Sequence, residues 1–282
     1  MSQVQAIDTL LAWRESAKYW AKHSVTIQQM FAPLTRALIE AAAIAQGHSV
    51  LDVAGGPGEP SLTIAETVGP TGSVTCTDAV AEMVETAQAE AVNRGLTNVQ
   101  FRQCTADALP FPDNSFDRAI SRLGAMFFPD PQAALREMLR VNKPGGVLAF
   151  AVWHKSELNP FSYVVTKVMS RYVETAPPDA DALGAFRFAE TGKLAGILTD
   201  AGAIDVLERI FKFDIAAPIS PPEFWEMRSG TSETLRTKLA KLSEEEKSQI
   251  ATAVKQAVKE YFPNDQMRFP AQMLIVTGKK PD

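Results

Sequence analysis

Three aspartates in this chain each stand at or just past the end of a short apolar run. They are Asp52 in VLDVAGGPGEPS, Asp78 in SVTCTD and Asp107 in CTADALP. Asp52 is followed at once by a turn carrying Gly55, Gly56 and Gly58. Glycine has no Cβ, so the N–H groups of such a turn come close to a ligand. A carboxylate ahead of the glycines is the wrong sign for a phosphate loop, because two anions repel. It suits a ligand that carries a cation. The glycine spacing also lacks the G-x-G-x-x-G pattern that cradles a dinucleotide pyrophosphate. A carboxylate closing the second strand, as Asp78 does, accepts hydrogen bonds from both hydroxyls of a ribose. Asp107 is predicted at the same edge. Three acids around a glycine turn describe a ligand with a ribose and an amine and no phosphate, against the plain alternative of a tight turn with no ligand.

The elements that must position these residues are legible between Ser49 and Val152. SVLDVA, SVTCTD, VQFRQC, FDRAISRL and GGVLAFAVW read as five strands. EPSLTIAETV, AVAEMVETAQAEAVNRG and PQAALREMLRVN read as the helices between them, the second stopping at Gly95. Strands alternating with helices imply parallel pairing through right-handed crossovers, the doubly wound α/β class. In such a sheet the ligand lies outside the carboxyl ends of the strands near the switch point, which is where the glycine turn falls. Residues 1–47 read as a helical cap, 48–155 as the cofactor-binding core and 156–190 as an insertion or substrate lid. Residues 191–282 read as the end of the sheet, with a helical insertion at about 221–262. The last strand, MLIVTGKK, returns after a long excursion and is expected to pair antiparallel. Seven strands are expected in all.

Composition bounds the rest. The chain has 282 residues, 46% apolar and 22% charged, as in an ordinary soluble domain. A net charge of −5 argues against a broad nucleic-acid surface. Cys76 and Cys104 make neither a disulfide framework nor a metal cluster, and no His/Asp/Glu group has ligand spacing. There is neither a signal-like N-terminus nor an apolar run of spanning length, so a cytoplasmic location is the expectation.

VLDVAGGPGE, VTCTDAVAEMVETAQ, CTADALPFPDNSFDRAIS and EMLRVNKPGGVLAFAVW, in that order, resemble the successive motifs of class I S-adenosylmethionine-dependent methyltransferases. The resemblance is strongest to the ubiquinone/menaquinone-biosynthesis-like, or type 11, branch. It covers roughly residues 45–153. It implies S-adenosylmethionine as cofactor and methyl transfer to a small acceptor, with oxygen or carbon attacked rather than nitrogen. It implies that Asp52 and the backbone of Ala54 and Gly56 hold the methionine end, that Asp78 takes the ribose, and that Ala79 and Met83 flank the adenine. Asp107 and the Ala108 backbone would read the adenine amino edge. Ser121 and Arg122 would line the methionine side and the opening toward substrate. The chain has Ala54 where the family usually has glycine, a methyl that fits comfortably only at negative φ.

A sulfonium already activates the methyl group, so the protein must mainly align the nucleophile and exclude water. A base is needed only for a hydroxyl or an acidic carbon. Of the three histidines, His154 follows the fifth strand and is the candidate base, a loop histidine beside Trp153 being the alternative. His23 lies in the N-terminal helices, and His48 falls on the opposite edge. Tyr19 is expected, by the resemblance, to close over the methionine moiety, or else to be a core aromatic. Trp13 and Trp20 are read as helix packing, and Phe127 and Phe128 as walls of the acceptor pocket. Phe161, Tyr163, Phe186, Phe188, Phe224, Trp225 and Met227, with Arg187 and Arg228, could line a pocket for an apolar or aromatic acceptor. They equally suit a lid core or a homodimer contact. A nicotinamide-dependent oxidoreductase shares the fold class but wants the longer glycine pattern. A protein that binds the same cofactor without transferring its methyl would look the same at the cofactor site.

Overall fold

The computed structural model describes residues 3–173 and 181–282, with side chains from Thr9 onward. Residues 174–180, part of the segment read as an insertion, lie outside the described residues. Seven strands form one sheet in the order β3-β2-β1-β4-β5-β7-β6. They are β1 (Ser49–Val53), β2 (Ser73–Asp78), β3 (Val99–Gln103), β4 (Phe116–Arg122), β5 (Asn142–Trp153), β6 (Ile204–Ala217) and β7 (Met267–Lys279). The first five pair in parallel, and β7 runs antiparallel to both β5 and β6. This is the doubly wound sheet with a reversed last strand that the sequence pattern predicts.

The central strands bury long apolar runs because helices cover both faces. Val50, Leu51 and Val53 in β1 are buried, and so is the run from Leu148 to Trp153 in β5. The crossover helices are α3 (Ser61–Val68), α4 (Ala81–Asn93) and α5 (Pro131–Val141). The α4 helix stops where the glycine signal places it: Gly95 has φ +67° and Leu96 N–H closes back onto Ala91 O at 2.9 Å. Asp130 caps α5 by accepting from Ala133 N–H at 2.9 Å, with Pro131 at the first helical position. Because β1 sends its crossover one way and β4 the other, a crevice opens between their carboxyl ends.

The N-terminal residues form two helices, α1 (Gln3–Lys22) and α2 (Ser24–Ala41). The α2 helix buries Met30, Phe31, Leu34 and Leu38 against the sheet, while α1 crosses above α4. The remaining helices are α6 (Pro160–Met169), α7 (Lys193–Asp200), α8 (Pro221–Thr231), α9 (Glu233–Leu239) and α10 (Glu244–Ala257). Ser243 and Glu246 make the capping box read from the sequence, with Ser243 N–H donating to Glu246 Oε2 at 2.8 Å. Phe161 of α6 and Phe224 of α8 pack on Phe269 of β7 with ring centroids 5.7 and 5.2 Å away. Phe161 also stacks on Trp153 at 6.3 Å. These rings fill a core under the helical layer, which is the lid-core alternative for that aromatic set. Among the described residues, no helix is long and apolar enough to cross a membrane.

Candidate cofactor and acceptor cavity

The glycine turn leaves β1 under tight steric control. A Cβ built on Gly55 would lie 2.7 Å from Cys76 Sγ and 2.9 Å from Asp52 Oδ2, so only glycine fits over that carboxylate. Gly56 has φ +58° and donates its N–H to Asp78 Oδ2 at 3.0 Å. Val80 N–H donates to Asp78 Oδ1 at 2.9 Å. The β2 carboxylate therefore ties the glycine turn to the start of α4. An ionised carboxylate offers about four acceptor positions, so these backbone donors do not exhaust it. Burial pushes the Asp78 carboxyl up, and the N–H groups of Val80, Gly56 and Ala79 pull it back.

A cavity opens above the turn. Its nucleoside-sized end is bounded by Asp78, Ala79, Val80 and Met83 on one side, and by Cys104, Thr105 and Ala106 on the other. Burial pushes the Cys104 thiol up to about 11, so this wall presents a neutral, weakly polar sulfur. The floor is Val53 to Pro57 with Glu59. At the far end stand Arg122, Leu123 and Gly124, with Phe127, Phe128 and Pro129 beyond them. The roof comes from α1 and α2 through Leu10, Trp13, Trp20, Ile27 and Phe31, and Leu183 closes the last side. Trp13 meets Phe127 edge-on at 5.0 Å and Trp20 at 6.0 Å, joining the roof to the β4 loop.

Several residues singled out in the sequence thus share one cavity: Ala54, Gly55, Gly56, Asp78, Ala79, Met83 and Arg122, together with Phe127 and Phe128. Others lie elsewhere. Asp52 is fully buried beneath the turn, not in the cavity. Its Oδ2 accepts from Ser61 Oγ at 2.6 Å, its Oδ1 has no partner among the described residues, and burial pushes its carboxyl up to about 6. Gly58, φ +114°, lies against Leu62 and Ala87, where it lets α3 and α4 approach. Ser121 is buried with an unpartnered Oγ, under the β4 loop.

Asp107 and Ala108 are exposed and outside the cavity; Thr105 and Ala106 hold the place assigned to them. The reason is the strand end. β3 stops at Gln103, one residue earlier than the sequence pattern predicts, so the chain has turned away by residue 107. His154 is buried, with Nδ1 2.8 Å from Ala189 O, and does not reach the cavity. Tyr19 faces away from it, against Gly230 and under the Arg236 guanidinium at 5.5 Å, while Trp13 and Trp20 line it. Trp13 and Trp20 are seven residues apart, two helical turns, and so share the face that Tyr19 does not. That spacing is the signal that could have separated them. His23 borders a separate surface depression beside Glu226, and His48 turns back to accept from Ala45 N–H at 3.2 Å.

Ala54 has φ +58°, the left-handed region, not the negative φ at which its methyl would be free of strain. A Cβ on Gly124 would fall 2.6 Å from the Ala54 methyl, so the β4 loop makes room for it. Left-handed geometry costs a non-glycine residue about 1–2 kcal/mol, and glycine returns about 0.5–1 kcal/mol of that in chain freedom. Ala54→Gly is expected to raise the urea midpoint by up to about 1 kcal/mol in stability at an unchanged slope. A lowered midpoint would mean that the methyl's packing on Gly124 outweighs the strain.

Among the described residues, no cluster of three or more His, Cys, Asp or Glu side chains could hold a metal. The solved structures that share this fold include a SAM-dependent methyltransferase of Aquifex aeolicus. It is 25% identical with a TM-score of 0.53, over 69% of this chain and 90% of that one. They also include the [4+2]-cyclase SpnF, 21% identical with a TM-score of 0.55, over 95% of this chain and 97% of that one. By sequence, an uncharacterized protein of Mycobacterium tuberculosis is 41% identical over 145 residues, 51% of this chain. The chain spans about half the length (52%) of that mycobacterial relative. The ubiquinone/menaquinone biosynthesis C-methyltransferase UbiE of Cellvibrio japonicus is 37% identical over 186 residues, 60% of this chain and 72% of that protein. A family model described as the ubiE/COQ5 methyltransferase family matches residues 18–177, more than half of the chain. With the cavity placed at the β1/β4 switch point of a methyltransferase-type sheet, the chain belongs to the ubiE/COQ5 methyltransferase family.

Proposed function

We propose that the protein transfers a methyl group from S-adenosylmethionine to a small, largely apolar acceptor, on carbon or on an acidic oxygen. The observation that carries the reading is Asp78. Its two oxygens are pinned by the glycine turn and by Val80, and the residue lines the cavity. That arrangement receives a diol, whereas a pyrophosphate would meet a buried carboxylate. The cofactor would lie with its ribose on Asp78, its adenine between Met83 and the Cys104–Ala106 wall, and its amino-acid tail over Val53 to Gly56. It would supply a methyl group on a sulfonium that needs no further activation.

The chain's own residues then orient and desolvate. Trp13, Leu123, Phe127, Pro129 and Leu183 make the acceptor end of the cavity apolar and exclude water. Among the described residues no histidine lines the cavity, and Glu59 is engaged by Arg94 at 2.7 Å and Thr63 at 2.7 Å. An acceptor that brings its own reactivity, an electron-rich ring carbon or an enol or phenol oxygen, matches such walls. The C-methyltransferase description of the Cellvibrio relative agrees with carbon attack.

Two readings compete. A nicotinamide enzyme would use the same crevice, and SpnF, described as a cyclase, has the same fold. Calorimetry with S-adenosylmethionine against NADH, followed by transfer of labelled methyl into a panel of quinols, phenols and enols, separates them. Sub-millimolar binding of the sulfonium nucleoside and label in an acceptor are the expected results. Binding of NADH alone sinks the proposal. Nucleoside binding with label in no acceptor would favour a role without methyl transfer.

A further inference from the structure

The sheet has two unequal edges. At one, β3 has five residues; at the other, β6 has fourteen, Ile204–Ala217, with β7 on one side and no strand beyond. An edge strand presents a row of unpaired N–H and C=O groups to whatever can pair with them. Among the described residues, no backbone bond joins the outer side of residues 206–214 to another element. The strand also holds apolar side chains in water: Leu207 is 69% exposed, and Ile204 and Ile210 are each 48% exposed. A bulge between Ile204 and Leu207, with Asp205 at φ +51°, interrupts the run at its start. From Leu207 onward the register with β7 is unbroken. Glu208, Ile210 and Lys212 share one face of this run, and Leu207, Arg209, Phe211 and Phe213 the other. Phe211 and Phe213 stack at 5.4 Å, and Arg209 lies over Phe211 at 5.6 Å while donating to Ala37 O of α2 at 3.3 Å. Lys212 is exposed and has no ion-pair partner among the described residues. Glu208 accepts from Gly192 N–H at 2.9 Å, and its Oε2 has no hydrogen-bond partner among them.

We propose that β6 is where two copies of this chain meet, paired antiparallel about a two-fold axis at Ile210, joining their sheets into one of fourteen strands, seven from each copy. The axis of such a pair stands perpendicular to the sheet, so each face of one copy continues the same face of the other. A residue then opposes only residues of its own face, and each register is named by the residue that meets its own copy. Like charges directly opposite are destabilising. Centring on Glu208, Arg209, Lys212 or Asp214 sets a charge against itself, and centring on Phe211 sets Glu208 against Asp214. Centring on Leu207 runs into the bulge, and centring on Phe213 or beyond leaves Leu207 unpaired. Centring on Ile210 sets Glu208 against Lys212 twice, Leu207 against Phe213 twice, and Ile210 against itself. One register thus pairs both uncommitted charges and covers the exposed Leu207 and Ile210. A foreign strand would have to reproduce that pattern, whereas a second copy carries it. The contact is isologous and closes, so it makes dimers and no larger assembly. It shares no residue with the cavity and stands independently of the nucleoside reading.

Sedimentation of the full chain over a dilution series, with circular dichroism confirming each fold, is the test. The wild type should pass from dimer to monomer on dilution. Ile210→Lys sets two cations against each other at the axis, and Lys212→Glu sets Glu208 against an acid on both sides of it. Each should raise the dimer dissociation constant about tenfold or more. Salt should restore part of the loss in Lys212→Glu and weaken the wild type, because exposed charges are screened. Cross-linking reads the register. In Ile210→Cys the two copies of residue 210 come within about 4.5–5.5 Å between Cα atoms, inside disulfide reach, and oxidised glutathione should give a covalent dimer. In Leu207→Cys each copy of residue 207 lies six residues along the strand from the other, about 20 Å, and no covalent dimer should form. A wild type that stays monomeric throughout the series, or that grows beyond dimers, overturns the inference. So does a dimer that neither charged variant weakens, and so does cross-linking through Leu207→Cys but not through Ile210→Cys. Should Ile210→Lys not fold, Lys212→Glu and the two cysteine variants still decide.

Discussion

Asp78→Ala is expected to lower affinity for S-adenosylhomocysteine by 10²-fold or more while leaving a folded protein. Two hydroxyl-to-carboxylate hydrogen bonds, each about 1.5–3 kcal/mol, would be lost together. The same substitution strips the acceptor from Gly56 N–H and Val80 N–H, so the turn that the tail must cross loses its tether. The first effect falls on the nucleoside end and the second on the amino-acid tail. The ligand of choice is the product nucleoside, read by calorimetry, with circular dichroism confirming the fold. Asp78→Asn keeps the acceptor geometry on one side only and should fall between the two. Affinity within threefold of wild type in folded Asp78→Ala would remove the central contact of the proposed site.

Asp52→Asn is expected to stabilise the protein at neutral pH by about 3 kcal/mol. Burial raises the Asp52 carboxyl from an ordinary 3.8 to about 6. At about 1.4 kcal/mol per pH unit, the charged form costs the fold that amount once ionised. The sign follows from which state holds the proton more tightly. The folded state does, so this side chain favours folding fully below about pH 4, and the benefit is lost as pH rises through about 6. An amide of the same shape carries no such cost and still accepts from Ser61 Oγ. Urea unfolding of both proteins should therefore show a gap at pH 7.5 that closes by pH 4. A gap that does not change with pH would locate the effect in packing instead. If the proposed cofactor's ammonium lies above Gly55, the same variant should bind the nucleoside more weakly even as it becomes harder to unfold.

How much of this was legible varies by residue. That Asp78, Ala79 and Met83 stand at the cavity was readable because they lie at or after a strand end marked in the sequence: SVTCTD stops at its aspartate and α4 begins three residues later. Asp107 was misplaced relative to the cavity because β3 is a short edge strand with a polar, half-exposed pattern. A one-residue shift at its end changes which of the following side chains turn inward. Tyr19 and the two tryptophans were exchanged for another reason. Trp13 and Trp20 share one face of α1 by their seven-residue spacing, and Tyr19 lies off that face toward α8, a periodicity that the family expectation for Tyr19 overrode. His154 was placed at the correct edge of the sheet, but its side chain turns down to Ala189 O, a contact between segments 35 residues apart.

Read alone, the sequence determined the doubly wound sheet, its reversed final strand, the glycine turn and the family, because these depend on local pattern and on short-range turn chemistry. The tertiary structure alone decided that Asp52 lies beneath the turn, that Thr105 and not Asp107 faces the cavity, that Trp13 and Trp20 roof it, and that Arg122 is held by Thr35 and the main chain of Glu59. Each of those depends on which neighbour a side chain meets across the fold, a matter of packing between distant segments that no local spacing records.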